Sequence, residues 1–223
     1  MATALPERAH PMPVGPLSAA ALPVVETFHS LQGEGLHAGR SAFFIRLAGC
    51  SVGCSWCDTK VSWPAGQHPS LALETLVQEA AAAAANGAGF VVITGGEPLQ
   101  HDLGPLCSAL AELGLPLHLE TSGVDALSGR FDWITLSPKA HRPPLPANLQ
   151  RCDELKVVVH GPADLSFAET MAAAAERSQG PAAALLLQPG WDSKEGQALA
   201  IEHVRRHPHW RLSLQSHKLL GVR

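Results

Sequence analysis

The chain has no tyrosine, few aromatic residues and no surplus of basic ones: 16 lysines and arginines stand against 20 aspartates and glutamates, a net charge of −4. That balance excludes the broad cationic face with which nucleic-acid-binding proteins hold phosphates, so no nucleic-acid partner is expected. No apolar run reaches the roughly 20 residues that a membrane-spanning helix needs, so no membrane partner is expected either. The first residues, from Met1 to Pro13, lack the charged start and apolar middle of an export signal. They read as part of a flexible lead, residues 1–21, ahead of a single domain over 22–223. Cysteine is scarce as well. Cys50, Cys54, Cys57, Cys107 and Cys152 leave one thiol over from any complete pairing, so a disulfide framework is not expected.

What is present is concentrated. Between Ser41 and Thr59 the sequence Ser-Ala-Phe-Phe-Ile-Arg-Leu-Ala-Gly-Cys-Ser-Val-Gly-Cys-Ser-Trp-Cys-Asp-Thr puts Cys50, Cys54 and Cys57 on one short loop. This spacing suits a [4Fe–4S] cube in which each cysteine takes a different iron, with Gly49, Ser51 and Gly53 letting the backbone wrap closely. Three thiolates leave one iron open to an external chelate. Structural zinc normally takes four ligands from two paired knuckles, and Cys107 and Cys152 stand alone.

Around this loop the apolar pattern alternates. Strands are expected at residues 24–30, 42–47, 90–94, 117–120, 133–136, 155–159, 184–188 and 211–214. Helices are expected at 70–85, 103–113, 163–177 and 195–206, with a short one between 120 and 133. Strands and helices alternating at this rhythm argue for an α/β fold with a parallel sheet. In such folds the loops at the carboxyl ends of the strands gather at one mouth.

Every motif of interest sits at such an end. Thr94-Gly95-Gly96-Glu97-Pro98 closes one strand, Glu120-Thr121-Ser122-Gly123 the next and Ser137-Pro138-Lys139 the one after; Gln188-Pro189 and Gln215-Ser216-His217-Lys218 follow. Taken singly, each is an ordinary turn. Gln32-Gly33-Glu34-Gly35 sets a carboxylate between glycines in a tight turn, and Arg46 projects a fixed cation near the cysteines.

The cysteine spacing, Trp56 before the last cysteine and the Gly-Gly-Glu-Pro turn resemble the radical S-adenosylmethionine superfamily. Cys57-Asp58-Thr59, the Gln32 to Gly35 turn, Arg46, Ser137-Pro138-Lys139 and Gln215 to Lys218 narrow this further. Over nearly all of its length beyond the lead, the chain resembles the 7-carboxy-7-deazaguanine synthase family.

That resemblance implies a partial (β/α) barrel of about six parallel strands. It implies a [4Fe–4S] cluster on Cys50, Cys54 and Cys57 whose open iron chelates S-adenosylmethionine, the source of a 5′-deoxyadenosyl radical. Cofactor contacts are implied at Ser55, Trp56, Gly96, Thr121, Ser122, Ser137, Pro138, Lys139 and Gln188, with Glu97 structural. The implied substrate is 6-carboxy-5,6,7,8-tetrahydropterin, converted to 7-carboxy-7-deazaguanine with loss of ammonia. Leu31, Gln32, Gly33, Glu34, Thr94 and His217 would hold it, with Arg46 paired to its carboxylate. Mg²⁺ on the Thr59 hydroxyl, a flavodoxin- or ferredoxin-type reductant and a homodimer are implied too. An oxygen-sensitive cofactor in a chain without an export signal points to the reducing cytoplasm. The rival in the same superfamily, a glycyl-radical-enzyme activating enzyme, must admit a peptide loop, whereas the Gln-Gly-Glu-Gly turn favours a small enclosed substrate. A non-catalytic iron–sulfur carrier or zinc module would need a fourth protein ligand.

Overall fold

The computed structural model describes residues 21–176 and 181–223. The expected lead lies outside them except for Ala21, which already belongs to the first strand. One nine-stranded sheet runs in the order β3-β1-β2-β4-β5-β6-β7-β8-β9. Its strands are β1 (Ala21–Leu31), β2 (Ser41–Leu47), β3 (Ser70–Ala72), β4 (Val91–Gly95), β5 (Leu117–Thr121), β6 (Trp133–Leu136), β7 (Glu154–Val159), β8 (Ala184–Pro189) and β9 (Trp210–Leu212). From β2 to β9 every neighbouring pair is parallel. The sheet does not close, since β3 and β9 are its two edges.

The parallel α/β expectation holds for this part. The other edge was not foreseen: β1 pairs antiparallel with β2 and with β3. The reason lies in the connection. Residues 32–40 are too few for the crossover of about a dozen residues that parallel neighbours need, whereas a tight turn suits antiparallel ones. The helix expected from residue 70 begins instead as α1 (Leu73–Ala85), because Ser70–Ala72 adds to the sheet edge.

The remaining helices are α2 (Gly104–Ala111), α3 (Pro146–Leu149), α4 (Pro162–Ala174), α5 (Lys194–Arg206) and α6 (Ser216–Leu220). Arg177, expected to end α4, lies outside the described residues. The short helix expected between 120 and 133 is absent among the described residues. Gly123 and Gly129 there adopt φ of 76° and 85°, a backbone that helices exclude. Asn148 Nδ2 pins this loop by donating to the carbonyls of Gly123 and Asp125, each at 2.8 Å.

Period-two alternation sorts the strand residues into two layers. Phe43, Ile45, Leu47, Val91, Ile93, Leu117, Leu119, Leu155, Val157 and Val159 pack with Leu73, Leu76, Leu103, Leu106 and Leu110 of the helices and the turn into α2 in one apolar core. The residues between them face inward. Near the amino ends of the strands these form a small cluster, Ala42, Phe44, Phe90 and Val92 with Phe28 against it. Towards the carboxyl ends the inward positions turn polar, and the site begins there.

Candidate active site

The cluster loop leaves β2 after Leu47. Gly49 and Gly53, with φ of 105° and 70°, turn the backbone on either side of Cys50 in a way that side-chain-bearing residues rarely tolerate. Gly49 N donates to the Ser62 carbonyl at 2.7 Å, Cys50 N to that of Trp63 at 3.1 Å, and Cys57 N to that of Cys54 at 3.1 Å. From outside, His101 Nε2 donates to the Ala48 carbonyl at 2.8 Å and His141 Nε2 to that of Val52 at 3.1 Å. Arg142 donates to Ser51 Oγ at 2.7 Å. The loop is therefore fixed by backbone and clamp together, independently of its thiols.

All three thiols are free and line one cavity of about 760 Å³ at the mouth of the half-barrel. Burial raises the Cys54 thiol above its usual pKa; Lys139 opposes this, while Cys57 and Cys50 push it further up. Thiolates crowded this way need a compensating positive centre. Cys107 and Cys152 are packed into the helix-side core instead. Among the described residues, no three His, Cys, Asp or Glu side chains converge on a single-ion site. Three free thiols on one short loop match the three protein ligands of a four-iron cube with one open corner, and one fewer than structural zinc normally takes. Close backbone packing completes the cradle. A Cβ on Gly96 would meet the Gly49 carbonyl oxygen at 2.2 Å and Cys50 Cβ at 3.0 Å.

Glu97, at 1% exposure, is structural as expected. It accepts from Thr121 Oγ1 at 2.5 Å, Ser122 N at 2.8 Å, Ser122 Oγ and Leu99 N at 3.1 Å. Thr121 and Ser122 line the cavity, but their hydroxyl protons point to Glu97, which leaves only oxygen lone pairs for a ligand. Lys139 Nζ donates to both Ser137 O and Oγ at 2.8 Å, and Gln188 Oε1 accepts from Ser213 Oγ at 2.8 Å. Trp56 is 44% exposed at the rim, with the rings of His160 and His141 at 5.3 and 5.6 Å.

Polar and charged groups also line the cavity. Gln32 Nε2 donates to Glu120 Oε1 and Thr94 Oγ1 to Glu120 Oε2, both at 2.9 Å. Glu34 accepts from Lys156 Nζ and, at 2.9 Å, from Gln215 Nε2. Burial alone would raise the Glu34 carboxyl, yet the Lys156 charge and these hydrogen bonds bring it down to about 2. Burial works against the charge on Lys156, but Glu34, Glu120 and Glu154 hold its pKa above the usual value. Helix α6 docks on the turn after β1: Ser216 N and Oγ both donate to the Gly33 carbonyl at 2.9 Å. The His217 ring fills the place of a Gly33 Cβ, 2.1 Å from Nδ1.

Arg46 faces the cavity, where its Nε donates to Glu26 Oε1 at 3.0 Å. Arg223 pairs with the other oxygen of Glu26, and both guanidinium groups lie against the Phe28 ring, at 5.7 and 5.2 Å.

Of the site residues expected from sequence, Cys50, Cys54, Cys57, Thr59, Trp56, Gly96, Thr121, Ser122, Ser137, Lys139, Gln188, Leu31, Gln32, Gly33, Glu34, Arg46, Thr94 and His217 all line this cavity. Ser55 and Pro138 do not: Ser55 is exposed on the outer turn of the loop and Pro138 is buried behind it. Sequence reasoning missed Glu26, Glu120 and Lys156. For Glu120 and Lys156 a signal was available, since each is a charged residue at an inward position beside apolar ones, whereas Glu26 is turned inward by the register shift that separates it from Val24.

The sequence profile of the Radical SAM superfamily matches residues 44–151. A 7-carboxy-7-deazaguanine synthase of Prochlorococcus marinus is 53% identical over 220 residues, covering 90% of this chain and 98% of that protein. One of Synechocystis sp. is 49% identical over 211 residues, covering 95% and 98%. The crystal structure of QueE from Escherichia coli superposes with a TM-score of 0.79 at 33% identity, over 88% of this chain and 95% of that one. With three thiols at the mouth of an open parallel half-barrel and relatives matched along nearly their whole length, the chain belongs to the 7-carboxy-7-deazaguanine synthase family of radical S-adenosylmethionine enzymes.

Proposed function

We propose that the chain converts 6-carboxy-5,6,7,8-tetrahydropterin to 7-carboxy-7-deazaguanine with release of ammonia, a step towards queuosine and related deazapurines. The observation that carries this reading is one cavity lined both by three free thiols and by the hydrogen-bonded array of Gln32, Glu120 and Thr94. When bound, the cluster on Cys50, Cys54 and Cys57 and S-adenosylmethionine supply a 5′-deoxyadenosyl radical able to take hydrogen from an unactivated carbon.

The protein's own part is placement and exclusion. Gly96, Ser137, Lys139 and Gln188 hold the sulfonium cofactor, with Trp56 beside the adenine. Gln32, Glu34, Thr94 and His217 read the pterin edge, and Leu31 and Gly33 supply backbone and contact. Arg46 exchanges Glu26 for the substrate carboxylate, a charge-assisted pair of the same kind. Holding one carbon beside the radical, behind walls that keep water out, converts an indiscriminate oxidant into a selective one.

Mg²⁺ is assigned to the Thr59 hydroxyl, which faces the cavity; a hard ion completed by substrate oxygens and waters is normal for magnesium. A flavodoxin- or ferredoxin-type reductant is supported by the exposure of Ser51, Gly53 and Ser55 on the cluster loop. A homodimer is supported by the exposed Leu219 and Leu220 of α6. Among the described residues no helix is long and apolar enough to cross a membrane, and the cytoplasm is the compartment we assign.

The test of the cofactor assignment is anaerobic reconstitution of Cys54→Ala beside the unaltered chain. The variant is expected to lose cluster absorbance near-completely and all turnover of the pterin. Turnover retained without Cys54 contradicts the assignment.

A further inference from the structure

Thr59 does not stand alone at the cavity wall. Its Oγ1 donates to Asp58 Oδ1 at 3.1 Å, and the other oxygen of Asp58 accepts from Lys218 Nζ at 2.5 Å. Lys218 is held in turn by Gln215 Oε1 at 3.2 Å and by the face of Trp191, whose centroid is 4.9 Å away. Lys218 reaches Asp58 from 160 residues away in sequence with its side chain 20% exposed, so α6 delivers the ammonium to a fixed place.

We propose that Lys218 is a positioning residue for the divalent cation. This rests on the assignment of that cation to Thr59. A hydroxyl has one proton to donate, and with that proton directed at Asp58 the lone pairs of Thr59 turn to the cavity. Asp58 is the stronger ligand for a hard ion, and left free it would bind the ion itself. Pairing with Lys218 occupies the carboxylate. The ion is therefore left with one neutral protein oxygen, which makes its retention depend on oxygens brought by the substrate. Outer partners of this kind orient ligands and change metal affinity by roughly 10- to 100-fold.

The experiment is a titration of the reconstituted holoenzyme with Mn²⁺ as a paramagnetic stand-in, free ion counted by electron paramagnetic resonance, with and without the carboxypterin. The unaltered chain is expected to bind Mn²⁺ at this site only when the pterin is present. Lys218→Met is expected to bind it without pterin, at least about 10-fold more tightly than the unaltered chain, because Asp58 is released. Adding Asp58→Asn to Lys218→Met removes that gain. If Lys218→Met leaves pterin-free binding unchanged, or if the gain survives Asp58→Asn, the proposal is overturned. Thr59→Val separates this from the underlying assignment: pterin-dependent Mn²⁺ binding that is indifferent to Thr59→Val refutes the Thr59 site itself, whatever Lys218 does. Cluster absorbance in each variant shows that the loop has kept its fold.

Discussion

A single carboxylate, Glu97, links two motifs that sequence treats as separate. It joins the Gly-Gly-Glu-Pro turn to the Thr121 and Ser122 hydroxyls and to two backbone N–H groups. Substituting Glu97→Ala leaves several buried donors without an acceptor, each costing about 1–3 kcal/mol, so a loss of at least about 3 kcal/mol is expected. A fall in the urea midpoint at constant slope measures it; an unchanged midpoint refutes the structural role. Glu34 has the opposite character, a carboxylate kept ionised by Lys156. Its pKa falls from 4.5 to about 2, so the stabilisation is complete above about 4.5 and is lost as pH drops towards 2. Lys156→Met strands the carboxylate without its partner, which costs about 3–5 kcal/mol for a buried pair. Acid unfolding curves of this variant should lose the steep limb between pH 4.5 and 2; an unaltered limb contradicts the pairing.

At the scale of elements, the alternation of strands with helices carried most of what could be read in advance. The unbroken apolar run of β4 reads as a parallel strand covered on both faces, which its burial in both apolar clusters matches, and the motifs at the strand ends follow from the direction of a parallel sheet. The antiparallel edge was illegible because β1 looks like any other strand, and the clue lay in the shortness of residues 32–40. Glu120 and Lys156 were hidden differently. Both stand at inward positions of strands that were read in advance for their apolar residues alone, although both line the cavity. His118 on β5 is a further polar residue at an inward position, nearer the amino end of the strand. It is 6% exposed, 4.3 Å from the Phe90 ring, and burial, with His37 and Arg40 adding to it, pushes its imidazole from 6.5 to about 3. The unfolded chain takes the proton first, so stability should decline as pH falls from 6.5 towards 3. Replacing His118 by Phe should flatten that decline in thermal unfolding followed across pH; an identical slope in both proteins excludes His118 as its source. Helix α6, which is too short to be stable alone, is held by its docking on Gly33. Gly33→Ala drives a methyl into His217 and is expected to raise the pterin KM by about an order of magnitude, the loss of one well-placed polar contact.

For the molecule as a whole, the open sheet explains why chemistry and recognition share one cavity. The parallel strands bring the cluster loop, the Gly-Gly-Glu-Pro turn and the β6 and β8 ends to a common mouth, and the turn after β1 and helix α6 add Gln32, Glu34 and His217 to the same lining. The central claim is that this cavity performs a ring contraction with a regenerated cofactor, and mass spectrometry of one reaction tests it most directly. The anaerobically reconstituted, reduced protein is supplied with 6-carboxy-5,6,7,8-tetrahydropterin, S-adenosylmethionine and Mg²⁺. The account predicts a product lighter than the pterin by ammonia, formed over many turnovers while S-adenosylmethionine is conserved. A pterin recovered unchanged by protein whose cluster is intact, or S-adenosylmethionine consumed once for each product, would contradict it.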